Sequence, residues 1–157
     1  MQITLIAIGK TKDKHLIALI TDYVQRINRY SKFIIKELPD IKNAASLNTE
    51  SLLKKEAELL LKNISPNDSV VLLDSTGKQN TSDTFAKFIA QKQVGNTNSL
   101  VFIIGGAYGF HKSIYNAFPE KCSLATLTFT HQMVRLIFCE QLYRAFTIIN
   151  NEPYHHT

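Results

Sequence analysis

An α/β fold, with a mostly parallel sheet covered by helices on both faces, is the architecture this sequence predicts. Three observations carry the expectation. Short apolar runs alternate with stretches in which apolar residues recur at helical spacing. The runs "ITLIAI", "VVLL" and "LVFII" are apolar along their whole length, as strands buried on both faces are. Glycine, proline or aspartate follows each run closely, where a strand would hand over to a loop.

The elements follow in order. Gln2–Ile8 reads as a buried strand stopped by Gly9, and residues 15–27 as a helix, with Leu16, Ile20, Val24 and Ile27 on one face and Ile17 and Leu19 widening it. Residues 33–38 form a second strand ended by Pro39, and the polar run 40–48 reads as a mobile loop. Thr49 is placed to cap a helix carrying Leu52, Leu53, Leu60 and Leu61. A strand over 69–73 runs into the turn-rich "DSTGK". Ser82 would cap a helix that buries Phe85, Phe88 and Ile89, broken at Gly95-Asn96. The strand 100–104, a short helix over Lys112–Ala117, a strand over 123–127 and a last helix over 131–149 complete a single domain, 1–157.

Composition bounds the function. The 157 residues are 45% hydrophobic and 20% charged, as in a globular protein able to bury a core without disulfides. Cys122 and Cys139 have no metal-ligand spacing and read as reduced core thiols, so no metal is expected. The start lacks the basic region and cleavage pattern of a secretory signal, and no stretch is long enough to span a bilayer, which predicts a cytoplasmic protein. Net charge is +5, and residues 1–92 hold 14 of the 18 basic residues against 10 of the 13 acids. That excess, including Lys10, Lys12 and Arg26, suits a polyanion such as nucleic acid, and equally suits a merely soluble surface.

In an open parallel sheet ligands bind where strands end, which singles out the loops 73–78, 105–111 and 124–131. Glycine lets main chain approach a ligand closely, but Gly105, Gly106 and Gly109 are spaced GGxxG, outside the dinucleotide register, and Glu120 is too near to be its ribose acid. "STGKQN" lacks the first glycine and the hydroxyl of a phosphate-binding Walker loop, so a nucleotide hydrolase has little behind it. In the last helix a lone cation, Arg135, stands among apolar neighbours and needs a partner. Either it reaches an acid or a carbonyl, or it faces the site. His131 stands at the helix start as a cap or a site group, and Tyr154-His155-His156 near the end would fray without a partner.

Together "VVLLDSTGK", "FIIGGAYGFHK", "LATLTFTHQMVRLIFCEQLYRAF" and "NNEPYHH" resemble the large-subunit ribosomal RNA pseudouridine N3-methyltransferases, the RlmH family of the knotted SPOUT class. The resemblance spans essentially the whole chain, and "THQMVR" with "EQLYRA" is its most specific part. It implies a C-terminal trefoil knot, a homodimer with the cofactor site near the subunit contact, and methyl transfer from S-adenosylmethionine to ring nitrogen 3 of a pseudouridine in helix 69 of 23S rRNA, on assembled ribosomes. The matching cofactor positions are Leu73, Gly105 and the loop Leu124, Ala125, Thr126, Leu127, Thr128 and Phe129. Thr130 departs from the proline or serine common there. A sulfonium already carries an activated methyl, so the protein must align donor and acceptor and deal with the imide proton. Arg135 is the candidate for stabilising the imide anion, His155 or His131 for taking the proton or touching the base, and Tyr154 for stacking on it. The competing reading from another class is a non-catalytic ribosome-associated RNA-binding protein of the same fold.

Overall fold

A computed structural model of the chain describes residues 1–95 and 97–154. A five-stranded sheet, all parallel, runs in the order β2-β1-β4-β3-β5. The strands are β1 Gln2–Ile8, β2 Lys32–Leu38, β3 Ser69–Gln79, β4 Ser99–Ile104 and β5 Lys121–Ser123. The helices are α1 Lys14–Ile27, α2 Thr49–Leu61, α3 Ser82–Val94, α4 Lys112–Ala117 and α5 Met133–Ile149. Helices α1, α3 and α5 cover one face, where Phe102 of β4 meets Phe138 of α5 at 4.7 Å between ring centroids. Helices α2 and α4 cover the other, over Ile6, Val101 and Ile103. Side chains alternate across a strand, so the wholly apolar runs of β1 and β4 feed both layers at once.

Helix starts are set by caps. Asp13 accepts from the amides of His15 and Leu16 at 2.8 and 2.9 Å, and α1 begins after it. For α2 and α3 the caps are Asn48 and Thr81, one residue before the expected Thr49 and Ser82. Both hold extended backbone, which puts the side-chain oxygen within reach of the amide three residues on. Ile17 and Leu19 do not widen the buried face of α1, being 43% and 49% exposed. The polar run 40–48 contains a short 3-10 turn, Ala44–Ser46.

Two boundaries near the C-terminus differ more. The last strand is Lys121–Ser123 rather than 123–127, because the Ser123 hydroxyl donates to the Ala125 carbonyl at 2.9 Å and turns the chain off the sheet. Helix α5 starts at Met133, two residues later than expected, with the Thr130 hydroxyl accepting from the Met133 amide at 3.2 Å. Strand β3 also runs on through the expected turn, with a register shift that makes both Leu73 and Lys78 partners of Cys122. A Cβ on Gly77 would lie 2.6 Å from the Cys122 amide nitrogen, so this close passage of main chain over main chain requires glycine.

Candidate functional site

The carboxyl ends of β3 and β4, the loop 105–110 and the loop 124–131 enclose a cavity of about 460 Å³. All the expected cofactor positions line it except Thr126: Leu73, Gly105, Leu124, Ala125, Leu127, Thr128 and Phe129. The walls combine apolar side chains and glycine main chain with the polar residues Ser75, Ser123, Thr128, Thr130 and His131. Gly105 matters because a Cβ there would meet the Gly109 carbonyl oxygen at 2.7 Å. The loop is pinched shut by an antiparallel bridge between Gly106 and Gly109, with the Gly109 amide donating to the Gly106 carbonyl at 3.2 Å. Gly109 holds φ of +79°, in the left-handed region that favours glycine.

The charged group of the lining is Asp74, which sits in a hydrogen-bonded corner. Asp74 accepts from the amide and hydroxyl of Thr76 at 2.7 and 2.6 Å and from the Tyr115 hydroxyl at 2.6 Å. Lys121 donates to the Thr76 hydroxyl at 3.1 Å. Burial alone raises the Asp74 carboxyl, but Thr76, Tyr115 and Lys121 together outweigh it and hold its pKa below the ordinary value. Tyr115, partly buried against that carboxylate, is pushed up to about 12 and stays a donor. Asp74 lies in the loop 73–78 that the sequence singles out, but it is not among the expected site residues, although it lines the cavity. Its position directly after an apolar strand is the available signal.

Of the four expected catalytic residues, the three that are described, His131, Arg135 and Tyr154, do not come together within one chain. His131 lines the cavity. Arg135, one turn on, is fully buried and turned away, toward β1 and β2. Its guanidinium donates to the His131 carbonyl at 3.1 Å, the Thr11 hydroxyl and the Glu37 carboxylate at 2.8 Å each, and the Ile8 carbonyl at 2.9 Å. Of the alternatives open to that cation, this is the acid-and-carbonyl one. Tyr154 packs edge-on against Tyr143 at 4.8 Å, with its hydroxyl 3.2 Å from Glu140 and 3.4 Å from the Tyr23 hydroxyl. Tyr143 lies about 14 Å along α5 from Val134, which lines the cavity. His155 lies outside the described residues. Of the three candidate phosphate contacts in the first half, Arg26 is already paired with Asp22 at 2.8 Å.

Behind the glycine loop, on the α2 side, Glu56 is 8% exposed with its carboxylate against Gly106. Burial, and then the charge of Asp40, raise its pKa. A carboxyl raised by folding binds its proton more tightly in the folded chain, so its ionised form destabilises the fold above the folded pKa and costs nothing below the unfolded one. Glu56→Gln is therefore expected to raise the unfolding temperature at neutral pH. The gain should shrink as pH falls toward 4.5, the ordinary value, and thermal melts across that range would show it.

The sequence matches the family described as "Predicted SPOUT methyltransferase" over residues 1–155. The chain belongs to the SPOUT methyltransferase family. Proteins named ribosomal RNA large subunit methyltransferase H are similar to this SPOUT chain over 156 residues, 99% of each partner: 51% identical in Phocaeicola vulgatus, 49% in Flavobacterium johnsoniae and 47% in Bacteroides fragilis. A solved structure of a probable methylase family protein from Haemophilus influenzae Rd KW20 superposes on 99% of the SPOUT chain and 70% of its own, with 13% identity and a TM-score of 0.49, too weak a likeness to bear on function. Among the described residues, no cluster of three or more potential metal ligands occurs and no helix is long and apolar enough to cross a membrane.

Proposed function

We propose that this SPOUT protein is a cytoplasmic S-adenosylmethionine-dependent methyltransferase of large-subunit ribosomal RNA. Its target would be ring nitrogen 3 of a pseudouridine in helix 69 of 23S rRNA, methylated on the assembled ribosome. The observation that carries this reading is the cavity at the ends of β3 and β4, built from the main chain of a pinched glycine loop and the loop leading into α5. The names of relatives about half identical over their full length support the RNA substrate.

The residues present fit the cofactor. A cavity of about 460 Å³ lies within the ordinary range for small ligands, and its mix of apolar wall and exposed main chain suits a nucleoside. Leu73, Gly105 and the 124–129 loop would hold it, with Asp74 in the same lining. Bound there, it would supply a methyl group on a sulfonium. The chain's own work is to exclude water from that group, orient the base, and receive the imide proton. His131 faces the cavity and is the group we assign to the proton or the base. Arg135 acts through His131, fixing its carbonyl, and so is a positioning residue.

Tyr154 and His155 enter the reading only through a homodimer, since Tyr154 sits away from the cavity of its own subunit. Exposed Leu127, Tyr108 and Met133 supply apolar surface near the cavity mouth for such a contact. The trefoil knot belongs to the same proposal, and the tight passage of Gly77 over Cys122 is in keeping with it. Calorimetric titration with S-adenosylmethionine should give saturable heat, and ribosomes incubated with both should gain one methyl in 23S rRNA by mass mapping. Absence of heat would favour the non-catalytic RNA binder; heat without transfer would remove the substrate assignment.

A further inference from the structure

A second cavity, of about 340 Å³, opens beside edge strand β5 and helix α3, and the methyl-transfer reading makes no use of it. Its wall is Phe88, backed by Phe85 at 6.2 Å. Lys78 and Lys87 border it, both exposed and neither in an ion pair among the described residues. Its one acid, Glu120, is already neutralised by Lys92 at 2.7 Å, and Lys92 crosses the Phe88 ring at 5.3 Å. The surroundings of the cavity are thus positive with an aromatic floor. Asn80 is held in place by its amide nitrogen, which donates to the Lys78 carbonyl at 3.2 Å and lies 3.6 Å from the Cys122 sulfur. Its amide oxygen has no partner among the described residues and remains an acceptor for an N–H from outside.

We propose that this cavity binds one nucleotide of single-stranded RNA next to the target, with its base against Phe88, an N–H of the base on Asn80, and its phosphates on Lys78 and Lys87. An aromatic ring at the wall of a cavity bordered by unpaired lysines suits a single strand, because every base can pack against the part of the ring that Lys92 and Phe85 leave open and every nucleotide has a phosphate to neutralise. The size suits a single nucleotide. The location suits a strand that also reaches the mouth of the first cavity. Val71 and Cys122 border the second cavity, while Leu73 and Ser123 border the first, and two strand residues span about 7 Å. A strand that presents its target base at the mouth of the first cavity, beside the cofactor, can therefore place a neighbouring nucleotide in the second. An acidic protein segment would use the lysines but leave the ring and the Asn80 acceptor idle. The inference rests on the RNA substrate of the proposed function.

The test uses the full chain, a fluorescently labelled oligouridylate and 23S rRNA, each titrated over a salt series. In the variant carrying Lys78→Ala and Lys87→Ala, the slope of log affinity against log salt should become shallower by about 1.4, at roughly 0.7 for each single-strand phosphate that a lysine neutralises. Phe88→Leu, which keeps apolar volume but removes the ring, should weaken oligouridylate binding about tenfold with the slope unchanged. Both variants should keep wild-type heat with S-adenosylmethionine, which shows that they fold. An unchanged slope in the lysine variant, or an unchanged affinity for Phe88→Leu, overturns the site. If wild type binds oligouridylate with these dependences yet transfers no methyl to rRNA, the proposed function fails and the site stands. If wild type methylates rRNA and the variants bind and methylate equally well, the site alone fails.

Discussion

Arg135→Ala is expected to lower the unfolding temperature by about 10 °C. The guanidinium is fully buried and ties four segments together: the end of β1 through the Ile8 carbonyl, the loop after it through Thr11, β2 through Glu37, and the entry to α5 through the His131 carbonyl. The exposed Glu37 carboxylate would regain water, but the buried Ile8 carbonyl would lose its partner and the site its filling side chain, which together cost on the order of 3 kcal/mol. For a chain of this size each kcal/mol is worth roughly 2–4 °C. Lysine should not rescue, since one ammonium cannot span acceptors that a planar fork meets from several nitrogens.

The pH dependence of the Arg135 effect has a definite sign. Burial raises the Glu37 carboxyl, but the hydroxyl and amide of Thr11, together with Arg135, outweigh burial and hold its pKa below 4.5. A carboxyl depressed by folding contributes stability above its unfolded pKa and loses it as pH falls through the folded value. The gap in melting temperature between wild type and Arg135→Ala should therefore persist from neutrality to about pH 5 and narrow below 4.5, the ordinary value. Melting curves within 2 °C of each other at pH 7, on the scale of one kcal/mol, would show that the network carries little.

Arg135 also marks where sequence reasoning stops. That a cation in an apolar helix needs a partner follows from desolvation alone, and a partner is what the structure supplies. Which partner could not be read, because Glu37 lies 98 residues away and arrives only when α5 packs beside β1 and β2. The parallel sheet, its helices and the strand ends that line the first cavity were legible for the opposite reason. Strand ends and glycine pairs are local features, and the parallel topology places those ends side by side without further information. The strand expected over 123–127 failed on the same ground. Its apolar residues looked like sheet, but Leu124 and Leu127 line a cavity instead, and hydrophobicity does not distinguish a residue packed in a sheet from one in a cavity wall. Lys78 and Lys87 carry no signal of their own, because a lysine on a surface element looks the same whether it faces solvent or a cavity.

Gly105→Val should abolish S-adenosylmethionine binding while leaving a folded chain. At this position even the Cβ of alanine would stand 2.7 Å from the Gly109 carbonyl oxygen, 3.0 Å from its carbon and 3.2 Å from the Phe110 ring. The first two are main chain and cannot swing aside as a side chain could, so the bridge between Gly106 and Gly109 must open. Opening it moves the wall of the cavity and leaves the sheet intact, since β4 ends at Ile104. The neighbouring glycine provides the comparison. The atoms nearest a Cβ on Gly106 are those of the Glu56 carboxylate, at 2.5 and 2.7 Å, the far end of a flexible side chain rather than main chain. Gly106→Ala should therefore bind S-adenosylmethionine measurably, whereas Gly105→Ala should be weakened by at least tenfold, on the order of 1.4 kcal/mol. Calorimetry on the three variants beside wild type decides the matter. Equal affinities for Gly105→Ala and Gly106→Ala would mean that main chain at the end of β4 does not enclose the cofactor.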